Sequence, residues 1–487
     1  MSLALPSTRL GLGVLLGVSL ALGLLAGHLA DALTAVPAAW YLLALTATVA
    51  GGALWVSARR GALYEPLAML AVVLAAFVAR GAELLLHKER LLTFRFPTDP
   101  VRGLLDYSSQ EITLFIVRRL ADPVDLVFER TLAAVAIFTV LVVAGYFSPP
   151  ARWLAGRLSV VGRVTDGRDL RTAVALFLAV GLLGQIAILI RVGGVGAALD
   201  HILDQSNFEA GFALFSITAF SFVALLMWAC WHPPSSRIAR ILFAAALVEV
   251  AAFYGALGSR SLILLPLFLL FLVRQHLHRP WRLAHVAAGV LLFLAFSSAY
   301  LGVRQATAEQ PLGQALLSAP TYLGDLRGFS NDNTAFDGLF QAVGWFGRSQ
   351  DFRGGASAFD ALHSYVPSFI DPGKPPGADI QFREALWGEF FQGGRPYTVI
   401  GEFYADFGFP GIVLGSLLLG IVAGSLRGLV RPDARDEAGR AYRVALFACA
   451  MFVLYQLVIG TYAIGIGFAL QLFGPLMLGV HVFGRRS

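Results

Sequence analysis

The chain has 487 residues, of which 57% are hydrophobic and only 14% charged, and its mean hydropathy is +0.71. A soluble protein carries about 25% charged residues, and here the deficit sits in long apolar runs, so the composition excludes an ordinary soluble domain. The net charge of +6 lies between those runs, as membrane topology signals do, which argues against a nucleic-acid surface.

Apolar windows of roughly 20 residues, long enough to cross a bilayer as helices, are predicted near 10–30, 36–57, 62–80, 131–148, 172–190, 211–231, 241–258, 261–274, 283–301, 399–426, 443–461 and 464–483. The first window is longer than the h-region of a signal peptide and is expected to stay as a membrane helix. Cys230 and Cys449 both fall inside windows without metal-type spacing, and are expected to be buried thiols. The expected fold is an all-α polytopic membrane protein of about twelve transmembrane helices.

Arginines set the orientation. Arg59 and Arg60, the run Arg152, Arg157, Arg163, Arg168 and Arg171, then Arg237 and Arg240, Arg274, Arg279 and Arg282, Arg427, Arg431, Arg435, Arg440 and Arg443, and finally Arg485 and Arg486 all fall on one side of a twelve-helix topology. The positive-inside rule makes that side cytoplasmic, with both termini inside and the chain in a bacterial inner membrane. Lysine occurs only at Lys88 and Lys374, so arginine abundance reflects composition and is weak as a sign of phosphate binding.

Two long segments fall on the outer side. Segment 81–130 carries Ile112, Phe115, Ile116 and Leu120 at helical amphipathic spacing and is expected to lie on the membrane as an interfacial helix. Segment 302–398, between helices one to nine (1–301) and helices ten to twelve (399–487), is rich in aromatics interleaved with carboxylates. Disordered segments are poor in aromatics, so this loop is expected to fold, as a lid over a site.

No nucleotide-binding glycine loop, HExxH or GxSxG is present, which disfavours ATP-driven pumping and soluble-type hydrolysis. The most distinctive text is Tyr365-Val-Pro-Ser-Phe-Ile-Asp-Pro-Gly-Lys-Pro-Pro, followed after a gap by Gly393-Gly-Arg-Pro-Tyr-Thr-Val-Ile-Gly-Glu-Phe-Tyr-Ala-Asp-Phe-Gly-Phe-Pro-Gly411 and a glycine-rich apolar run. This resembles the Wzy-type oligosaccharide repeat-unit polymerases (O-antigen polymerases, within the O-antigen ligase-like superfamily), whose last large periplasmic loop carries an "iPs…P.KP" stretch and then "t.iGE.Y..fG..G". Gly258-Ser-Arg-Ser261 resembles the family's "gsRs" element, and Arg191-Val-Gly-Gly-Val resembles the "GG" that opens an earlier periplasmic loop.

The resemblance implies a GT-C-like glycosyltransferase with a periplasmic loop, no cofactor and no metal. It would move a glycan from an undecaprenyl-diphosphate carrier to a second lipid-linked repeat unit, in a membrane that could also hold a chain-length regulator protein. Such chemistry needs cations to stabilise the leaving diphosphate and a base for the acceptor hydroxyl. The candidate catalytic residues are Glu402, His363 and Arg260. The candidate substrate contacts are Arg304, Arg383, Arg395, Tyr404 and Asp406, with Trp345 and Trp387 as sugar-stacking rings. Each has a plainer role: Glu402 and Asp406 can cap a helix, Arg260 and Arg304 can snorkel to the interface, and a lone loop histidine is commonly surface. Glu83 with His87, and His201 with Asp200 and Asp204, do not make convincing metal ligand sets. Two rival functions stay open: an O-antigen ligase-like transferase, and a transporter or flippase for a lipid-linked glycan. The near absence of charge within the predicted helices, Glu249 apart, disfavours the transporter.

Overall fold

A computed structural model describes residues 37–59, 65–86, 122–159, 167–194, 212–256, 260–278, 334–366, 397–430 and 439–483, with isolated positions 314, 370, 371, 373, 381 and 382. The helices are α1 (Pro37–Arg59), α2 (Pro66–Leu86), α3 (Val124–Tyr146), α4 (Pro149–Leu158), α5 (Gly167–Val192), α6 (Phe212–Trp231), α7 (Arg237–Ala256), α8 (Arg260–Leu277), α9 (Thr334–Trp345), α10 (Ala356–His363), α11 (Thr398–Ser425, continued by a 3-10 turn, Leu426–Val430), α12 (Arg440–Ile459) and α13 (Tyr462–Leu478). No strand occurs among the described residues.

The protein is an all-α, multi-pass membrane protein. Among the described residues, seven helical spans are long and apolar enough to cross a bilayer, and α2, α6 and α8 contain shorter apolar stretches. Ten of the twelve expected windows coincide with described helices; 10–30 and 283–301 lie outside the described residues. Many large side chains exposed on these helices are apolar, as on Leu182, Leu183 and Ile186 of α5, Ile241 and Leu242 of α7, and Leu414 and Leu418 of α11. Such a surface is stable only against lipid. Cys230 and Cys449 are buried free thiols.

Close backbone approach organises the packing, since apolar side chains gain little from one another when lipid is the solvent. The most extensive helix pairings are α3 with α11 and α5 with α6. In the first, a Cβ on Gly420 would overlap the Val142 carbonyl oxygen, and one on Gly145 would overlap the Leu417 carbonyl. In the second, a Cβ on Gly181 would overlap Ser221 and one on Gly184 would lie 2.7 Å from Ile217 Cγ2.

Two expected boundaries are corrected. Helix α2 continues to Leu86 and α3 begins at Val124, so both ends of segment 81–130 belong to membrane helices. The amphipathic stretch Ile112–Leu120 lies outside the described residues. Arg80, the last residue of the 62–80 window, is 2% exposed. Its Nε donates to Asp337 Oδ1 at 3.0 Å and its Nη2 to Asp337 Oδ2 at 2.9 Å. Charges beyond Glu249 thus lie buried inside the predicted windows, as Arg80, Arg443, Glu402 and Asp406 show.

The lid expectation is corrected in part. Asp337 belongs to α9, and Phe336, Asp337, Leu339, Phe340, Gln341, Ala342 and Val343 are fully buried. Helix α9 packs against α2, α3 and α11, with Phe336 edge-on to Phe77 and Phe340 against Phe128. This part of the large loop is a wedge in the bundle rather than a cover.

Removing one member of the Arg80–Asp337 pair strands a buried charge, which costs about 3–5 kcal/mol. Thermal unfolding in detergent should show Asp337→Ala and Arg80→Ala strongly destabilised. The paired replacement Arg80→Met with Asp337→Leu should lose much less than the sum of the two.

Candidate functional site

The family-like text around 397–411 folds as a joint between three elements. Thr398 opens α11 with a φ of +66°, a region that β-branched residues rarely enter, and its Oγ1 accepts the Gly401 amide at 3.2 Å. Gly401 lies close against Tyr397 and near Ala342 of α9. Ten residues on, Gly408 has φ 65° and ψ −147°, open in practice only to glycine. This break and the following Pro410 divide α11 into two half-helices.

The joint uses its polar residues structurally. Glu402 is fully buried, and its carboxylate accepts the amide of Tyr462, the first residue of α13. A carboxylate there satisfies an orphan helix donor and complements the helix dipole. Asp406 does the same for α10: its Oδ1 accepts the Ser357 amide at 3.1 Å. The backbone is stitched alongside, Arg353 N donating to Ala405 O at 2.8 Å and Gly354 N to Asp406 O at 2.9 Å. The Tyr404 ring is enclosed edge-on between Phe352 and Phe409. Glu402 and Asp406 thus lie at the four-residue spacing read from the sequence, each engaged at the start of a different helix.

His363, the last residue of α10, is placed otherwise. Its Nε2 lies 2.7 Å from Asp371 Oδ2, and both side chains are partly exposed, at 27% and 36%. A carboxylate bonded to one ring nitrogen fixes the tautomer and leaves Nδ1 as proton acceptor. Phe359 packs one turn back, its ring 5.8 Å from the imidazole. Two residues on, the Tyr365 hydroxyl donates to the Ala463 carbonyl. The His363 segment and Glu402 therefore both close on the first turn of α13.

Trp345 ends α9 and packs half-buried against the core. Arg260 is the first residue of α8, and its side chain lies outside the described residues, as do Arg304, Arg383, Arg395 and Trp387. The sequence reading missed three partners. Asp371 stood inside the quoted motif without a role. Arg353 pairs with Asp360 across one turn of loop and helix, and Asp122 receives both Arg130 and Arg348; neither grouping has a sequence signature.

No protein-family model, curated protein or solved structure matches the chain.

Gly408→Ala should strain the break and press on Phe352, whose Cζ would lie 3.0 Å from the new Cβ. A loss of about 1–3 kcal/mol is expected, read as a lowered Tm in detergent, whereas Gly51→Ala, where a Cβ meets nothing, should leave Tm unchanged or raised.

Proposed function

We propose that the chain is a polysaccharide repeat-unit polymerase of the membrane-embedded, inverting, GT-C-like kind, acting at the outer face of a bacterial inner membrane. The observation that carries the proposal is the His363–Asp371 pair, set beside a joint built from the polymerase-like text. In this reading the acceptor sugar hydroxyl gives its proton to His363 Nδ1, while Asp371 holds the ring and stabilises the imidazolium. The hydroxyl oxygen attacks the anomeric carbon of the donor glycan, and the undecaprenyl diphosphate leaves as an anion. Arg260, Arg304, Arg383 and Arg395 are the proposed cations for that leaving group.

Burial argues against Glu402 as the base. It is closed off from solvent and engaged with α13, so its part in this mechanism is to hold the loop segment against the membrane helices. The transporter reading gains nothing from the buried charges Arg80 and Asp337, because they form a bidentate pair.

Purified protein reconstituted with lipid-linked repeats should yield a ladder of longer glycans without any nucleotide donor. His363→Ala should slow ladder formation by about 10²–10⁴-fold, the size of a lost general base, with Asp371→Asn falling between it and wild type. Glu402→Gln should instead lower Tm, with turnover per folded molecule within about 10-fold of wild type. Growth by single sugars from a nucleotide donor, or transfer of only finished chains to a lipid A core, would overturn the polymerase assignment.

A further inference from the structure

At the far end of α11 from the joint, α4 forms a second feature with no part in the proposed reaction. It leaves α3 through Phe147 and Ser148; the Ser148 Oγ accepts the Ala151 amide at 3.3 Å. Pro149 and Pro150 fill the first positions, where a missing amide proton costs nothing. Its inner face is Ala151 and Ala155, both fully buried. A Cβ on Gly424 would lie 2.9 Å from Ala151 Cβ, and one on Gly428 would overlap the Ala155 carbonyl. Small residues thus let the helix press closely onto the end of α11.

Its other face carries Arg152, Trp153, Gly156 and Arg157, all exposed, with Trp153 at 62%. The Arg157 guanidinium sits 5.4 Å from the centre of the Trp153 ring. Neither Arg152 nor Arg157 makes an ion pair among the described residues. Nearby, the Arg427 guanidinium stacks over Tyr146 at 4.4 Å and donates to the Gly424 carbonyl at 3.0 Å and the Tyr146 carbonyl at 3.2 Å. Because α4 starts where a membrane-crossing helix ends, this face lies at headgroup level. An indole favours that depth, and arginine forks match phosphate oxygens.

We propose that the Arg152–Trp153–Arg157 face of α4 is a binding site for an anionic phospholipid. The lipid phosphate lies against the two guanidinium groups, and Trp153 sits beside the glycerol and upper acyl chain. Net negative charge is required, because a zwitterionic headgroup brings its own cation to an already cationic face.

The test is the Tm of the detergent-purified full chain with phosphatidylglycerol, phosphatidylcholine or soluble glycerol phosphate added. Phosphatidylglycerol should raise Tm by a few degrees, as a ligand of the folded state does, and the other two should not. Arg152→Gln with Arg157→Gln should lose at least half of that rise. An equal rise with phosphatidylcholine or glycerol phosphate, or an undiminished rise in the double variant, would overturn the proposal. If the double variant is itself unstable, brominated lipids decide. The fluorescence lost on changing Trp153→Phe should be quenched more by brominated phosphatidylglycerol than by brominated phosphatidylcholine; equal quenching would count against the site.

Discussion

The contact on which the architecture turns is the backbone approach of α11 to α3. Gly145 and Gly420 meet where no side chain fits, and Gly424 and Gly428 extend the same seam to α4. In a bilayer such seams take over the organising role that the hydrophobic effect has in water, because apolar surface is equally content against lipid. With α11 fixed against α3, the wedge α9 is held between α2, α3 and α11. The Arg80–Asp337 pair then becomes possible, since both charges are brought together in a site that satisfies them bidentately. A pair of this kind contributes little net stability beside an apolar packing, yet tolerates no loss of one partner, so it fixes the register of the wedge more than it strengthens the bundle.

Much of this was legible in the chain itself, and the division is physical. Membrane helices announce themselves by length and hydropathy, which are local properties, and ten expected windows coincide with described helices for that reason. The spacing of Phe336, Leu339, Phe340 and Val343 is helical, although the sequence reading drew from this stretch only a folded, aromatic-rich loop. Its burial was not readable, because that depends on Phe77, Phe128 and Arg80, which are contributed by other helices far away in sequence. The burial of Arg80 was unreadable for the same reason. An arginine near the end of an apolar run is usually an interfacial residue, and only its distant partner shows otherwise.

The candidate site divides along a similar line. The i, i+4 spacing of Glu402 and Asp406 follows from the local pattern, whereas the need for glycine at Gly408 shows only in its backbone angles. That Glu402 engages the start of α13 and Asp406 the start of α10 follows from tertiary placement. Asp371 was in view within the quoted text, and its significance emerges only from the 2.7 Å contact to His363.

The motif text therefore reads first as joinery. Thr398, Gly401, Glu402, Tyr404, Asp406, Gly408 and Gly411 each have a steric or hydrogen-bonding reason to be where they are. A sequence pattern made of such residues tracks a way of attaching a loop segment to a membrane helix, and it would persist in proteins with different substrates as long as that attachment was kept. The proposed reaction then calls for a group that the joint presents without consuming. His363 meets that condition, since one ring nitrogen is fixed by Asp371 and the pair remains partly open. Glu402 does not, because its burial and its bond to the first turn of α13 are themselves part of the joint. One half-helix, Thr398 to the break at Gly408, thus carries both carboxylates that engage neighbouring helices.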